Sequence, residues 1–254
     1  MKFMVTKKQV DALLARMSEY MNPDKYCTDG KYYSIFNIYY DTDDNRIVRN
    51  SISHPYYKEK LRLRSYDSPT APDGKVYLEL KKKTGGIVSK RRAAMTLREA
   101  CDFVENGRQP ACTGYINEQV VNEIKYFLSR NQVQPAVYLC YKRMAFFGIN
   151  DKNFRITLDW DITSRRNDIS LEKNCYGAKL LENGVFIMEV KLPGAVPKWL
   201  ADTLAELKIY KKSFSKYGEE YLNYSFPAAN FKYNTGCEPG VIVFAPETRL
   251  MQYA

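Results

Sequence analysis

Histidine is nearly absent from this chain of 254 residues, with His54 the only one. That excludes a histidine-built zinc cluster, an H-E-x-x-H site and any mechanism that needs two imidazoles. A Ser-His-Asp or Cys-His arrangement would have to use His54, whose setting, Ser53-His54-Pro55, reads as a plain turn. Glycine-rich phosphate loops are missing as well: neither G-x-x-x-x-G-K-[ST] nor G-x-G-x-x-G occurs, so no Walker or Rossmann nucleotide site is encoded. No apolar run approaches the roughly 18–20 residues that cross a bilayer, and no basic-then-apolar signal segment opens the chain, which predicts a soluble, cytoplasmic protein. The six cysteines, Cys27, Cys101, Cys112, Cys140, Cys175 and Cys237, include no C-x-x-C pair. A chain of this length does not depend on disulfide staples, so they are expected to be reduced and mostly packed.

What the chain has in excess is positive charge. Thirty-nine Lys and Arg stand against 29 Asp and Glu, a net charge of +10 with a pI near 9.1. Hydrophobic residues make up 45% and aromatics 14%, enough to bury a core, so wholesale disorder is excluded and one large domain is expected. The charge is concentrated, with eleven Lys/Arg against four Asp/Glu between Lys58 and Arg92. Within that stretch it follows the period of two that a β-strand imposes on side-chain direction. Lys58, Lys60, Arg62 and Arg64 share one face while Leu61 and Leu63 share the other. Lys75, Tyr77, Glu79, Lys81 and Lys83 oppose Val76, Leu78 and Leu80 in the same way. Two later segments repeat the design: Arg155, Thr157, Asp159 and Asp161 against Phe154, Ile156, Leu158 and Trp160, then Glu189 and Lys191 against Phe186, Met188 and Val190.

Such alternation fits an ordinary antiparallel sheet with a solvated charged face. It fits equally a sheet whose cations converge into a surface for a polyanion. Carboxylates are costly inside such a surface unless they bind a cation, which makes Glu189 and Glu79 candidate metal ligands. Four helices are predicted. Thr6 to Gln9 forms a capping box ahead of Val10, Leu13, Leu14 and Met17, and Thr96 to Glu99 forms another ahead of Cys101 and Phe103, with Gly107 as the stop. Asn117 to Arg130 carries an apolar stripe, and Pro197 opens a helix containing Trp199, Leu200, Leu204 and Leu207. These stripes are read as packing against the outside of the sheet.

Seven short motifs then occur in a fixed order: Ile38 to Thr42, Tyr57 to Tyr66, Leu78 to Lys83, Lys90 to Arg92, Tyr141 to Phe146, Met188 to Lys191 and Ser213 to Tyr217. In that order they resemble the vacuolar transporter chaperone (VTC) domain, of the triphosphate tunnel metalloenzyme superfamily. The resemblance runs from about Lys2 to Tyr217 and implies an α+β fold, a closed antiparallel β-barrel or tunnel with charged side chains inward and helices outside. It implies a tunnel domain over 1–224, with 225–254 an irregular tail or edge segment. It further implies an ATP-dependent polyphosphate polymerase, with ATP and inorganic polyphosphate as partners and Mn²⁺ or Mg²⁺ as cofactor; no nucleic acid is expected as a partner, and no membrane segment is expected in this chain.

Carried over residue by residue, Arg62 and Arg64 match the paired arginines of the R-x-R strand, Lys81 the E-x-K lysine, Lys90 the next basic strand, Arg143 the arginine before Ala-Phe, and Lys216 the late S-F-S-K lysine. Glu189 matches the metal-binding glutamate, which Glu79 or Asp159 would assist. Lys2, Lys60, Lys191 and Lys212 are expected to bind substrate. Of the E-x-E-x-K that commonly opens the first tunnel strand, only Lys2 is matched, so a second metal site is not expected. A tripolyphosphatase or nucleoside triphosphatase, a polyphosphate-binding module without turnover, and a nucleic-acid binder stacking on Tyr57, Tyr66 and Tyr77 are the competing readings.

Overall fold

The computed structural model describes residues 1–111 and 114–226, leaving out the side chains of Asp29 and Ile116. In chain order the elements are β1 (Lys2–Thr6), α1 (Lys7–Met17), β2 (Met21–Pro23), β3 (Tyr33–Asp41), α2 (Arg46–Ile52), β4 (Tyr57–Ser65), β5 (Lys75–Thr84), β6 (Ile87–Thr96), α3 (Leu97–Asn106) and α4 (Tyr115–Arg130). They continue with β7 (Gln134–Gly148), β8 (Arg155–Arg165), β9 (Ala178–Lys179), β10 (Val185–Lys191), α5 (Lys198–Glu206) and α6 (Lys216–Ser225). The predicted capping boxes form at both sites: Thr6 and Gln9 bond reciprocally, as do Thr96 and Glu99, and Gly107 ends α3 in the left-handed conformation. The expected tail lies outside the described residues from 227 onward, as do Cys112 and Cys237.

All strands join one antiparallel sheet in the order β1-β10-β8-β7-β3-β4-β5-β6, with β2 on β7 and β9 on β8. The sheet curls so far that residues of β1 and β6, its two ends, line one cavity. It does not close, contrary to the expected barrel. The reason is that the outer edge of β1 is taken: Phe3 bridges Lys211, and the Lys212 amide donates to the Lys2 carbonyl at 2.9 Å.

The apolar faces of the strands point outward and are covered as predicted. Leu61, Leu63, Leu78 and Leu80 pack with Phe103 of α3 and Ile124 of α4, while Phe3, Ile156 and Met188 pack with Leu13 of α1 and Leu200 of α5. Two further helices, α2 and α6, were not predicted and do not lie outside. Val48 of α2 and Tyr217 of α6 join Ile35, Val137, Leu139, Ile162 and Ile187 in a third core on the concave face. Ile162 reaches that face because β7 and β8 slip register by one residue between Cys140 and Lys142, where Asp161 sits at φ 51°. The slip turns the alternation of β8 over, so Asp159 and Ile162 point the same way.

The cysteine expectation needs correction. Cys140, on β7, forms a disulfide with Cys175, in the connection before β9, with Cα atoms 6.5 Å apart. The fold brings together two thiols 35 residues apart that spacing alone does not pair. Cys27 and Cys101 are free. Among the described residues no helix is long and apolar enough to cross a membrane.

Candidate active site

The concave face encloses a cavity of about 670 Å³ to which all eight strands of the main path contribute. Eleven Lys and Arg line it with two carboxylates, Glu79 and Glu189. The alternation read from the sequence places them: Lys60, Arg62 and Arg64 come from β4, Glu79 and Lys81 from β5, Lys90 and Arg92 from β6. Arg143 comes from β7, Arg155 and Thr157 from β8, Glu189 and Lys191 from β10, and Lys2 from β1. Ser215 and Lys216 enter from the N-terminus of α6, whose backbone Ser215 caps by accepting from the Gly218 amide at 3.2 Å.

Two buried carboxylates organise these cations. Glu79, only 1% exposed, accepts from Arg62 Nε at 3.0 Å and contacts Lys90 Nζ and Arg92 Nε at 2.7 Å each. Arg64 stands 3.9 Å away and is oriented by Asn37 Oδ1 at 3.0 Å and the Tyr141 hydroxyl at 3.3 Å. Burial alone would raise the Glu79 carboxyl, but Arg62, Arg64 and Lys90 outweigh it and hold the group well below the usual carboxylate range. Asp159 takes Arg143 in a two-pronged bond, 2.6 and 2.7 Å, and Lys216 at 2.6 Å. There too burial is outweighed, by Lys216 and Arg143, and the carboxyl falls to about 2. The guanidinium forks are thereby fixed before any ligand arrives.

Other cations are not compensated. Among the described residues no carboxylate lies within ion-pair distance of Lys2, Lys60 or Lys81. Lys2 donates to the Phe214 carbonyl at 2.6 Å, and Lys60 lies over the Tyr217 ring at 5.6 Å. Burial lowers the Lys60 ammonium to about 8; it also lowers Lys90, against the pull of Glu79, to about 8. Arg155 Nε and Thr157 Oγ1 are buried without a hydrogen-bond partner, next to each other on the cavity face of β8. An enclosed set of cations with unmet donors is built for an anion with many oxygens.

Of the residues expected from sequence, Lys2, Lys60, Arg62, Arg64, Glu79, Lys81, Lys90, Arg143, Glu189, Lys191 and Lys216 all line the cavity. Asp159 lies behind Arg143 and Lys216. Lys212 contributes its backbone amide to β1, and its side chain is not part of the lining. Sequence reasoning passed over Arg92, two residues from Lys90 and so on the same face, and Arg155, which the alternation of β8 already put beside Thr157 and Asp159. Among the described residues no group of three or more His, Cys, Asp or Glu is placed to hold a metal.

The same architecture occurs in solved structures. A Bacillus halodurans protein described as a candidate adenylate cyclase is similar over 85% of this chain and 91% of its own, with a TM-score of 0.51 and 16% identity. A Vibrio parahaemolyticus protein of the same description (TM-score 0.40, 13% identity, 84% of this chain and 94% of its own) and a Pyrococcus horikoshii protein (0.40, 14%, 88% and 97%) are also similar. No curated protein matches the sequence. Residues 1–224, covering the whole sheet and the cation-lined cavity, match the VTC domain, and the chain belongs to that family.

Proposed function

We propose that this chain is an ATP-dependent polyphosphate polymerase that transfers the terminal phosphoryl group of the nucleotide to a growing polyphosphate chain. The observation that carries the reading is the convergence of cations from seven strands and α6 on one enclosed cavity, in a member of the VTC family. Phosphoryl transfer asks little covalent chemistry of a protein; it asks for alignment and for neutralisation of charge on the phosphoryl oxygens. Arg62, Arg64, Arg92 and Arg143, held by Glu79 and Asp159, supply rigid forks for the reacting phosphates. Lys2, Lys60, Lys81, Lys90 and Lys216 supply point charges for the donor tail and the acceptor chain. An acceptor phosphate is already ionised at neutral pH, so the reaction needs no general base.

Of the carboxylates considered for a metal, Glu189 suits the role and Glu79 does not. Both Glu79 oxygens are occupied by guanidinium and ammonium groups, and Asp159 is likewise spent on Arg143 and Lys216. Among the described residues Glu189 forms an ion pair with Lys191 alone, at 3.7 Å, and its side chain keeps 29% of its surface exposed. One carboxylate joined by phosphate oxygens and water is a donor set that Mg²⁺ accepts. A Mg²⁺ or Mn²⁺ held by Glu189 would neutralise bridging phosphate oxygens.

The purified chain given ATP and Mn²⁺ is expected to accumulate long-chain polyphosphate. Glu189→Gln should lower turnover about a hundredfold or more while leaving tripolyphosphate binding within about tenfold. Release of only ADP and free phosphate would replace the polymerase with a hydrolase, and binding without turnover would reduce it to a polyphosphate-binding module.

A further inference from the structure

The tyrosines that line the cavity fall into two kinds. Tyr39, Tyr141 and Tyr217 are buried, and each has a cation against its ring: Arg62 at 5.7 Å, Lys216 at 4.4 Å and Lys60 at 5.6 Å. Tyr33 and Tyr66 differ. Among the described residues no cation lies over either ring, and Tyr66 is 39% exposed. They belong to a ladder of four rings, Tyr26-Tyr33-Tyr66-Tyr77, with centroids 6.1, 6.1 and 5.9 Å apart and interplanar angles of 68°, 58° and 77°. At such angles the ring faces are not used up by stacking on one another. The ladder runs from exposed Tyr26 into the cavity and ends among arginines: Arg92 Nη2 reaches the Tyr66 hydroxyl at 3.5 Å, the Arg92 guanidinium carbon lies 4.5 Å from the centroid of the Tyr77 ring, and Tyr33 pairs with Arg143 across β3 and β7.

We infer that the faces of Tyr33 and Tyr66 seat the nucleobase of the phosphoryl donor, gripping the base by stacking and leaving its hydrogen-bonding edge unread. This rests on the phosphoryl-transfer reading of the cavity. Arg92 and Arg143, which adjoin Tyr66 and Tyr33, would hold the phosphates of a nucleoside triphosphate with its base within reach of these rings. The described lining contains no Asn or Gln to pair with a base edge; its neutral polar side chains besides tyrosine are Thr157 and Ser215, and the Ser215 hydroxyl already accepts from Gly218. Stacking tolerates any base and favours the larger rings, whereas strong discrimination needs hydrogen bonds that the wrong base leaves unmet.

Calorimetric titration of the full chain with ATP, GTP, UTP and inorganic tripolyphosphate tests this. The unmodified protein should bind ATP and GTP within about threefold of each other and UTP more weakly. Tyr66→Ala should weaken ATP about tenfold and tripolyphosphate by less than about twofold, and Tyr66→Phe, which keeps the ring and loses only the contact to Arg92, should change the two alike and by less than about twofold. Equal losses for ATP and tripolyphosphate in Tyr66→Ala, or no loss for either, would overturn the inference. So would a preference for ATP over GTP well beyond tenfold, which the unmodified protein reveals even if the alanine variant fails to fold. Failure of tripolyphosphate to bind the unmodified protein would instead sink the reading of the cavity itself.

Discussion

The concave face of the sheet is mainly ionic on β4, β5 and β6, interrupted by Tyr77 and Val88, but on β1, β7, β8 and β10 it changes character within each strand. Lys2 gives way to Met4, Arg143 to Leu139, Asp159 to Ile162, and Glu189 to Ile187. The apolar part is sealed by α2 and α6 and buries its surface without help from any ligand. The ionic part encloses like charges, and stands only because Glu79 and Asp159 sit among them. One half of the concave face is therefore stable by itself, and the other would gain stability from any anion that binds it.

That contrast breaks most sharply on Glu79. Glu79→Gln leaves Arg62, Lys90 and Arg92 without their counter-charge and should cost about 3–5 kcal/mol, much of it recovered when tripolyphosphate is added. Leu139→Ala, in the apolar half, should cost about 2–5 kcal/mol with a deficit that tripolyphosphate leaves in place. Denaturant unfolding with and without the anion separates them, and equal recovery would erase the distinction.

A smaller effect follows from Asp159. Its folded-state pKa is depressed to about 2 from 3.8, so its contribution is present above about pH 4 and is lost as the pH falls through about 2. The pH dependence of unfolding in that window should amount to about 2 kcal/mol and flatten in Asp159→Asn.

The mildest test concerns the lysines. Lys60 and Lys90 are depressed to about 8, and a bound polyanion favours their charged forms. Affinity for tripolyphosphate should therefore be greatest below pH 8 and fall as pH rises, by about tenfold for each lysine at pH 9. Titrations in buffers of different ionisation heat should show proton uptake on binding near pH 8, and an affinity flat from pH 7 to 9 would count against these two lysines as ligands.

Much of this was legible because a β-strand writes its two faces into alternate residues. The parity of Lys58 to Arg64 and of Lys75 to Lys83 by itself puts the leucines outside and the cations together. Arg92 and Arg155 were legible by the same parity and were missed because short motifs, not faces, selected the site residues. The apolar half was not legible. The register slip near Asp161 turns the alternation of β8 over, and only the pairing of β7 with β8 reveals it. Helix α2 spans seven residues behind Asn45 in a left-handed conformation, and α6 has Gly218 in its first turn, so neither carries a long apolar stripe. The role of Glu79 also escaped, since a carboxylate beside arginines reads alike as metal ligand and as counter-ion until distances decide.

The opening between β1 and β6 has a further consequence. A strand with an unpaired edge is a template on which another copy of the chain can add, and aggregation begins there. On β1 that edge is already occupied by Lys211 and Lys212. On β6, whose partner among the described strands is β5 alone, the edge carries Lys90, Arg91 and Arg92 in succession. Glu79 is shared among four cations and Glu123 between two, so the run keeps a positive surplus, and two copies approaching edge to edge would bring like charge together, which disfavours self-association along β6.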